Sequence, residues 1–185
     1  MNIVSAKEVY DFWFNEDNEE LWYTQSDDFD NEIRERFYET WEAARQGLLY
    51  EWRDTFEGRL AEIIVLDQFS RNLHRGSHLS YTQDEIALVL AQHAIEHPDY
   101  NKQPVNQKSF TLLPFMHSES KEIQKITEKL YLELDSDMHT KYMYEHKKII
   151  DTFGRYPHRN ELMNRTSTPE EIEFNNRNDL DFTKV

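Results

Sequence analysis

The stretch Leu60-Ala-Glu-Ile-Ile-Val-Leu66, continued by Asp67-Gln-Phe-Ser-Arg71, decides the fold class of this protein. Its first part is apolar at every position except Glu62, and a helix that is apolar nearly all round lies in the interior of its domain. A short buried strand is the competing interpretation. The continuation shows no alternation of apolar and polar residues, which favours helix over strand. We therefore predict a buried helix that carries Asp67 and Arg71 towards its end.

Amphipathic patterns on both sides of this stretch predict further helices. Large apolar residues recur at every fourth position in one segment: Phe29, Ile33, Phe37 and Trp41. This is the spacing of one buried helix face. A further predicted helix carries Tyr142, Met143, His146, Ile149, Ile150 and Phe153. No linker divides the chain. We predict an all-α fold with a single domain over residues 1–185, in which residues from about 173 onward form a frayed tail.

Helix ends are predicted from capping residues. Ser or Thr caps the first turn of a helix, and Glu three positions later completes a capping box. The predicted starts are Ser5, Thr82-Gln-Asp-Glu85, Ser118 followed by Glu119 and Glu122, and Thr168-Pro-Glu-Glu171. His117 then precedes a helix N-terminus, where anions are attracted. Gly47 and Gly154 mark two helix ends.

Composition excludes several classes of protein. The 185 residues include 21 Lys and Arg, 36 Asp and Glu and no cysteine, which gives a net charge of −15. Without cysteine there is no disulfide scaffold, iron–sulfur cluster or cysteine-ligated zinc. So acidic a chain is not expected to bind nucleic acid, which is held by basic contacts to phosphate. No apolar run approaches ~18 residues, and MNIVSAKEVYDF lacks a signal-peptide pattern. We expect a cytoplasmic protein that does not bind membranes.

Three polar segments interrupt the amphipathic pattern. They are Leu66-Asp-Gln-Phe-Ser-Arg-Asn72, Pro114-Phe-Met-His-Ser-Glu119 and Gly154-Arg-Tyr-Pro-His-Arg-Asn160. In the first segment Arg71 follows Asp67 by one helical turn, so the two side chains are expected to pair. Either the pair is a structural salt bridge only, or Arg71 has further hydrogen-bond donors that are available to an anionic ligand. In the third segment two arginines flank His158, a density of polar groups that helix connections seldom need.

We predict that the three segments converge on one pocket for a small anion. The arginines would hold a phosphate or carboxylate group, and a histidine would transfer a proton while Asp67 or Glu119 orients its ring. The predicted catalytic residues are His117, His158 and Glu119. The predicted ligand-binding residues are Asp67, Arg71, Asn72, Ser118, Arg155, Arg159 and Asn160. Hydrolysis of a small anionic compound is the reaction considered, although the sequence supplies no obvious activated nucleophile.

One apparent metal motif is rejected. His93-Ala-Ile-Glu-His97 has the H-x-x-E-H spacing of inverted zinc peptidases. Such sites need a third ligand from a distant helix and a substrate chamber, and Pro98 ends the helix at the second histidine. We predict no metal site and no cofactor.

The chain resembles a mostly bacterial family known as domain of unknown function 924. The matching motifs, in order, are Val9-Tyr-Asp-Phe-Trp-Phe14, Phe29-Asp30, Gly47-Leu48, LDQFSRN, PFMHSE, GRYPHRN and STPEE. The resemblance covers nearly the whole chain and implies an α/α superhelix like that of tetratricopeptide proteins. It implies the same site residues as above and no established activity. The chain departs from the family pattern at Ser70, where proline is usual, and at Tyr156, where phenylalanine is common.

Two other functions remain open at this point. A superhelical fold presents a groove to a peptide, and the partner of so acidic a protein would be basic. In the third hypothesis the polar motifs only join helices to one another. The sequence leaves the oligomeric state open, including a homo-oligomer.

Overall fold

The computed structural model describes residues 1–177, and over these residues the chain is all-α, as predicted. The helices are α1 Ala6–Trp13, α2 Asp27–Ala44, α3 Phe56–Ile64, α4 Ser70–Leu73, α5 Asp84–Ala94, α6 Val105–His117, α7 Lys121–Leu132, α8 Asp137–Phe153 and α9 Pro169–Asn175. A π-helical segment, Val65–Phe69, joins α3 to α4. Short 3₁₀ turns lie at Glu16–Leu21, Tyr50–Asp54, His78–Ser80, Tyr100–Lys102 and Pro157–Arg159.

The buried helix predicted from the sequence is confirmed. Helix α3, the π-helical segment and α4 follow one another without interruption, and we call them together the central helix. It begins where Thr55 Oγ1 accepts the N–H of Gly58 at 3.0 Å. Gly58 permits a close approach, because a Cβ there would lie 1.8 Å from the carbonyl oxygen of Trp52. A π turn inside an α-helix often occurs at a functional site, and this one contains Asp67.

An aromatic cluster fills the core between α1, α2, α6 and the central helix. Phe37 stacks on Phe69 with ring centroids 5.0 Å apart, and Trp13 meets Phe69 and Phe110 edge-on. The predicted face of α2 is buried at Phe29, Ile33, Phe37 and Trp41. Aromatic contacts of this kind add ~0.5–1.5 kcal/mol each beyond the area that they bury.

Two predicted helix starts are wrong. Thr82–Glu85 forms no capping box, since α5 begins at Asp84 and the side chain of Asp84 bonds to arginines instead. Ser118 is the residue after α6, and Ser120 caps α7. A proline usually ends a helix, but α6 continues through Pro114. His117 is therefore the last residue of a helix and does not precede an N-terminus.

The other predicted helix ends agree with the structure. Ser5 Oγ accepts the N–H of Glu8 at 3.2 Å. Thr168 and Glu171 form the predicted capping box, and α8 ends at Gly154 with φ of 72°. Glycine tolerates this left-handed conformation without the strain of a Cβ.

The predicted frayed tail overlaps the last helix. Residues 173–175 belong to α9, and residues 178–185 lie outside the described part of the chain. Within residues 1–177 we find no helix with the length and apolar character that a bilayer span requires. The superhelical arrangement implied by the family resemblance stays a prediction.

Candidate functional site

A cavity of about 200 Å³ lies between the central helix, α6, α8 and the 3₁₀ turn Pro157–Arg159. The structure brings four predicted site residues to its wall: Arg71, His117, His158 and Arg159. Asp67 contacts two of them from behind. Aromatic and sulfur-containing side chains complete the wall. Pockets for drug-sized ligands usually measure ~300–1,000 Å³, so this cavity suits a smaller molecule.

Asp67 orients the imidazole of His117. Its Oδ1 lies 2.7 Å from His117 Nδ1, and its Oδ2 accepts a hydrogen bond from Gln68 Nε2 at 2.6 Å. Burial acts to raise the pKa of Asp67, but the Arg71 guanidinium and His117 outweigh it and hold that pKa below its ordinary value. An ionised carboxylate only accepts hydrogen bonds, so the Nδ1 of His117 carries the proton. Nε2 is left as the accepting nitrogen of the ring.

Asp84 links the two arginines of the cavity. Arg71 donates to Asp84 through Nη1 and Nη2, both at 3.1 Å, and Arg159 Nη1 donates to Asp84 Oδ2 at 3.0 Å. Arg71 also donates to the Oδ1 of Asp67 at 3.2 Å, which confirms the ion pair predicted from their spacing. Each of the four residues is less than a tenth exposed. Buried charges need such partners, because moving an ion from water into the protein interior without an opposite charge beside it costs several kcal/mol.

Arg159 is held between two tyrosine rings. Its guanidinium carbon lies 4.5 Å from the ring centroid of Tyr81 and 4.6 Å from that of Tyr156. The flat guanidinium group stacks well on aromatic rings, and the stacking leaves its N–H groups available as hydrogen-bond donors. Its Nε is buried and has no hydrogen-bond partner among the described residues. Arg159 thus has fewer acid contacts than Arg71.

Three imidazoles of the cavity wall are uncharged at neutral pH. Burial lowers the pKa of His146 and of His158 to about 3. Burial also lowers the pKa of His117, and the nearby Arg71 adds to this effect against the pull of Asp67. The charges of Arg71 and Arg159 are then balanced by those of Asp67 and Asp84. The wall is rich in hydrogen-bonding groups, yet the three histidines, two arginines and two aspartates together carry no net charge.

Three other predicted site residues, Glu119, Arg155 and Asn160, lie in a separate cluster. Together with Arg165 and Glu171 they form what we call the C-terminal clamp. Glu119 accepts from Arg165 Nη1 at 2.6 Å and from the backbone N–H of Tyr156 at 2.7 Å. Arg155 Nε and Asn160 Nδ2 donate to Glu171 at 2.7 and 3.2 Å. The clamp fixes the turn that carries His158 and Arg159, so its residues act on the cavity through this turn.

Asn72 and Ser118 also lie away from the cavity wall. Asn72 Nδ2 donates to Asp30 Oδ1 at 2.7 Å, which joins the central helix to α2. Ser118 Oγ accepts the N–H of Ser120 at 3.2 Å, and the carbonyl of Ser118 accepts from Gln124. These contacts belong to the packing of helices and to the turn between α6 and α7.

Comparison with known proteins identifies the family. Residues 9–179 match the family described as bacterial protein of unknown function (DUF924). The chain belongs to this family. A solved structure of a protein of unknown function from Agrobacterium tumefaciens is similar, with a TM-score of 0.87 and 32% sequence identity over 92% of this chain and 96% of that one. No curated protein matches the chain. The resemblance to DUF924 drawn from the motifs is thereby confirmed.

The two departures from the DUF924 pattern both make hydrogen bonds. Ser70 Oγ accepts from Trp41 Nε1 at 2.8 Å and donates to the carbonyl of Leu66. The Tyr156 hydroxyl donates to the carbonyl of Met116, a bond that phenylalanine lacks. Ser70 follows the π-helical segment directly, and the central helix stays continuous there.

Sequence reasoning missed Asp84, Tyr81 and His146 as site residues. Asp84 carried a usable signal, because it lies on the buried face of α5 with Ala87, Ala91 and Ala94. A carboxylate on an apolar helix face needs a cationic partner. The capping-box interpretation of Thr82–Glu85 hid that signal. Tyr81 follows no pattern that would have singled it out.

The rejected zinc motif lies outside the cavity wall. His93 belongs to α5, and its carbonyl accepts from Arg59 at 2.9 Å. His97 Nδ1 accepts the N–H of Asp99 at 3.2 Å in the turn after that helix. Within residues 1–177 no group of three His, Asp or Glu side chains is arranged to hold a metal ion.

Proposed function

We propose that the cavity binds a small organic anion, with Arg159 holding its carboxylate or phosphate group. Arg159 carries this proposal, because it lines the cavity, is 5% exposed and makes a single carboxylate contact within residues 1–177, through Nη1. A buried guanidinium with so few acid contacts is stabilised by a further acceptor, and the carboxylate or phosphate of an anionic ligand would supply one. A cytoplasmic location is part of the same proposal.

The charge of the cavity wall favours a ligand with one negative charge. Arg71 and Arg159 are already balanced by Asp67 and Asp84. Because the wall has no net charge, each negative charge on the ligand is buried at a cost; one charge can accept hydrogen bonds from Arg159, whereas a second has no further cation beside it. Tyr142, Met138 and Leu113 offer apolar surface for the body of the ligand. A small carboxylate with an apolar or aromatic body fits these features.

The alternative function, a groove that binds a basic peptide, has less support. A peptide groove is long and lined by exposed apolar groups, whereas this cavity is small and rich in arginine and histidine. The structural hypothesis fits Arg71, whose guanidinium is shared by two carboxylates. It leaves the Nε of Arg159 unexplained.

A calorimetric titration tests the proposal. We expect benzoate to bind, phenyl phosphate to bind less tightly, and uncharged benzamide not to bind. In Arg159→Lys the affinity for benzoate falls by about tenfold or more, since a hydrogen bond between charged groups contributes ~1.5–3 kcal/mol. The control is Arg45→Lys, because Arg45 is an exposed residue directly after the last residue of α2. Equal affinity for benzoate and benzamide would contradict the proposal.

A further inference from the structure

The Asp67–His117 pair lies beside the proposed ligand site and has the geometry of a catalytic base. We propose that His117 acts as a general base in the hydrolysis of a small carboxylate that carries an ester group, with Asp67 as its positioning residue. This inference rests on the proposed function, because Arg159 would hold the carboxylate of the substrate.

The first step of the argument is the fixed orientation of the His117 ring. Asp67 is 1% exposed, and its carboxylate is held by Gln68 at 2.6 Å and by Arg71 at 3.2 Å. The hydrogen bond from His117 Nδ1 to Asp67, 2.7 Å long, therefore sets one tautomer and one ring direction. The His117 side chain is 13% exposed and lines the cavity, so Nε2 is the nitrogen available to water or substrate.

The second step is the stability of the protonated ring. When Nε2 accepts a proton, the imidazolium is balanced by the Asp67 carboxylate on its other nitrogen. His117 is also the last residue of α6, and the C-terminus of a helix favours a cation. Three further imidazoles line the wall, those of His139 and His146 on α8 and of His158 in the C-terminal turn, and Nδ1 of His139 pairs with the Ser136 hydroxyl at 2.8 Å. His146 donates through Nδ1 to the carbonyl of Tyr142, and His158 has no carboxylate partner to orient it among the described residues.

The third step concerns the charge that forms during the reaction. Nε2 takes a proton from water as the water oxygen bonds to the acyl carbon, which creates an imidazolium and an oxyanion together. With Arg159 on the carboxylate of the substrate, the guanidinium of Arg71 lines the same cavity and stabilises such an oxyanion through its charge. The C–O bond to the leaving group then breaks, and Nε2–H returns its proton to the departing alkoxide. The reacting groups stay neutral overall, which suits a wall without net charge.

The experiment uses 4-nitrophenyl hydrogen adipate, an ester whose carboxylate is too far along the chain to attack it readily, and 4-nitrophenyl hexanoate, which has no carboxylate. After subtraction of the rate in buffer, we expect the intact protein to hydrolyse the adipate ester faster than the hexanoate. His117→Gln lowers the rate by about 10²–10⁴-fold, the usual contribution of a general base. The control is His78→Gln, a change at an exposed histidine outside the cavity wall, which leaves the rate unchanged. Equal rates in the protein and in His117→Gln would overturn the proposal.

A second measurement on the unmodified protein does not depend on turnover. In ¹⁵N-histidine-labelled protein at pH 7, we expect nuclear magnetic resonance to show His117 protonated at Nδ1 only. Asp67→Asn should lower kcat for the ester with little change in KM, a split that a purely structural role for Asp67 does not require. A proton on Nε2 in the unmodified protein would overturn the inference.

The amide analogue of the probe separates the two proposals. It resists hydrolysis and carries the same carboxylate, so its binding is measured by thermal shift. If the analogue binds but the ester is not hydrolysed, the catalytic inference fails and the binding function stands. If the analogue does not bind, the proposed function fails with it.

Discussion

Asp84 is the residue at which the two buried arginines of the cavity meet. Its two carboxylate oxygens accept three hydrogen bonds of 3.0–3.1 Å from Arg71 and Arg159. Arg71 has a second acid in Asp67, whereas Asp84 is the carboxylate that contacts Arg159 within residues 1–177. The loss of Asp84 therefore affects Arg159 most.

The first prediction is that Asp84→Asn lowers the free energy of unfolding by about 3–5 kcal/mol. This is the usual cost when one partner of a buried ion pair is removed and the other charge stays buried. Urea unfolding followed by circular dichroism measures it. The control is the adjacent Glu85→Gln at an exposed position, where a change within about 0.5 kcal/mol is expected. A loss under 1 kcal/mol for Asp84→Asn would contradict the arrangement of charges described above.

At the scale of elements, the C-terminal segment reaches the cavity because the clamp holds it there. The turn Pro157–Arg159 supplies two wall residues, but its own contacts are made by neighbours outside the wall. Glu119 joins the start of this segment to the turn after α6. Burial acts to raise the pKa of Glu119, but the hydrogen bonds from Arg165 and from the N–H of Tyr156, together with the charges of Arg159 and Arg165, outweigh it, so the pKa is lowered. The position of Arg159 therefore depends on residues that lie outside the cavity wall.

The second prediction is that Glu119→Gln loosens the turn Pro157–Arg159 without unfolding the protein. We expect faster amide hydrogen exchange at Tyr156 and weaker benzoate binding, with a stability loss of about 1.5–3 kcal/mol for the lost charged hydrogen bonds. Hydrogen exchange with mass spectrometry localises the effect. Glu122→Gln serves as the control, because within residues 1–177 the ion pair of Glu122 is with exposed Lys125, at 2.7 Å. Unchanged exchange at Tyr156 would show that the clamp does not position the turn.

At the scale of the whole molecule, we expect stability to depend on pH through two half-buried imidazoles of the cavity wall. The pKa of His146 and of His158 is about 3 in the folded protein, against ~6.5 in an unfolded chain. The unfolded chain therefore binds more protons between these values. The stabilising effect of the neutral rings is complete above pH ~6.5 and is lost as the pH falls towards 3.

The third prediction is that the urea midpoint falls as the pH is lowered from 7.5 to 5. Each buried imidazole contributes at most about 1.4 kcal/mol per pH unit. The double variant His146→Asn, His158→Gln should give a flatter dependence than the parent protein, measured over the same range. His78→Gln is the matched control, since its ring is exposed and the slope should not change. Equal slopes in the double variant and the parent would rule out the buried rings as the cause.

Local patterns predicted most of the fold correctly. The apolar run at Leu60–Leu66, the stripe on α2 and the caps at Ser5 and Thr168 each reflect interactions within a few residues of one another. Such interactions are visible in the sequence because helical periodicity and capping have fixed spacings. The errors at Ser118 and Thr82 arose where two local rules competed and tertiary contacts decided between them. At Pro114 the packing of α6 prevailed over the tendency of proline to end a helix.

The sequence by itself determined the all-α class, the family, the Asp67–Arg71 pair and the three polar segments. Only the tertiary structure decided how those segments divide, with His117, His158 and Arg159 at the cavity and Glu119, Arg155 and Asn160 in the clamp. The reason is physical: helical spacing relates residues one turn apart, whereas the bond between Asp84 and Arg159 joins positions 75 residues apart. Partners at that distance are chosen by the packing of whole helices, which brings a buried charge to the nearest opposite charge.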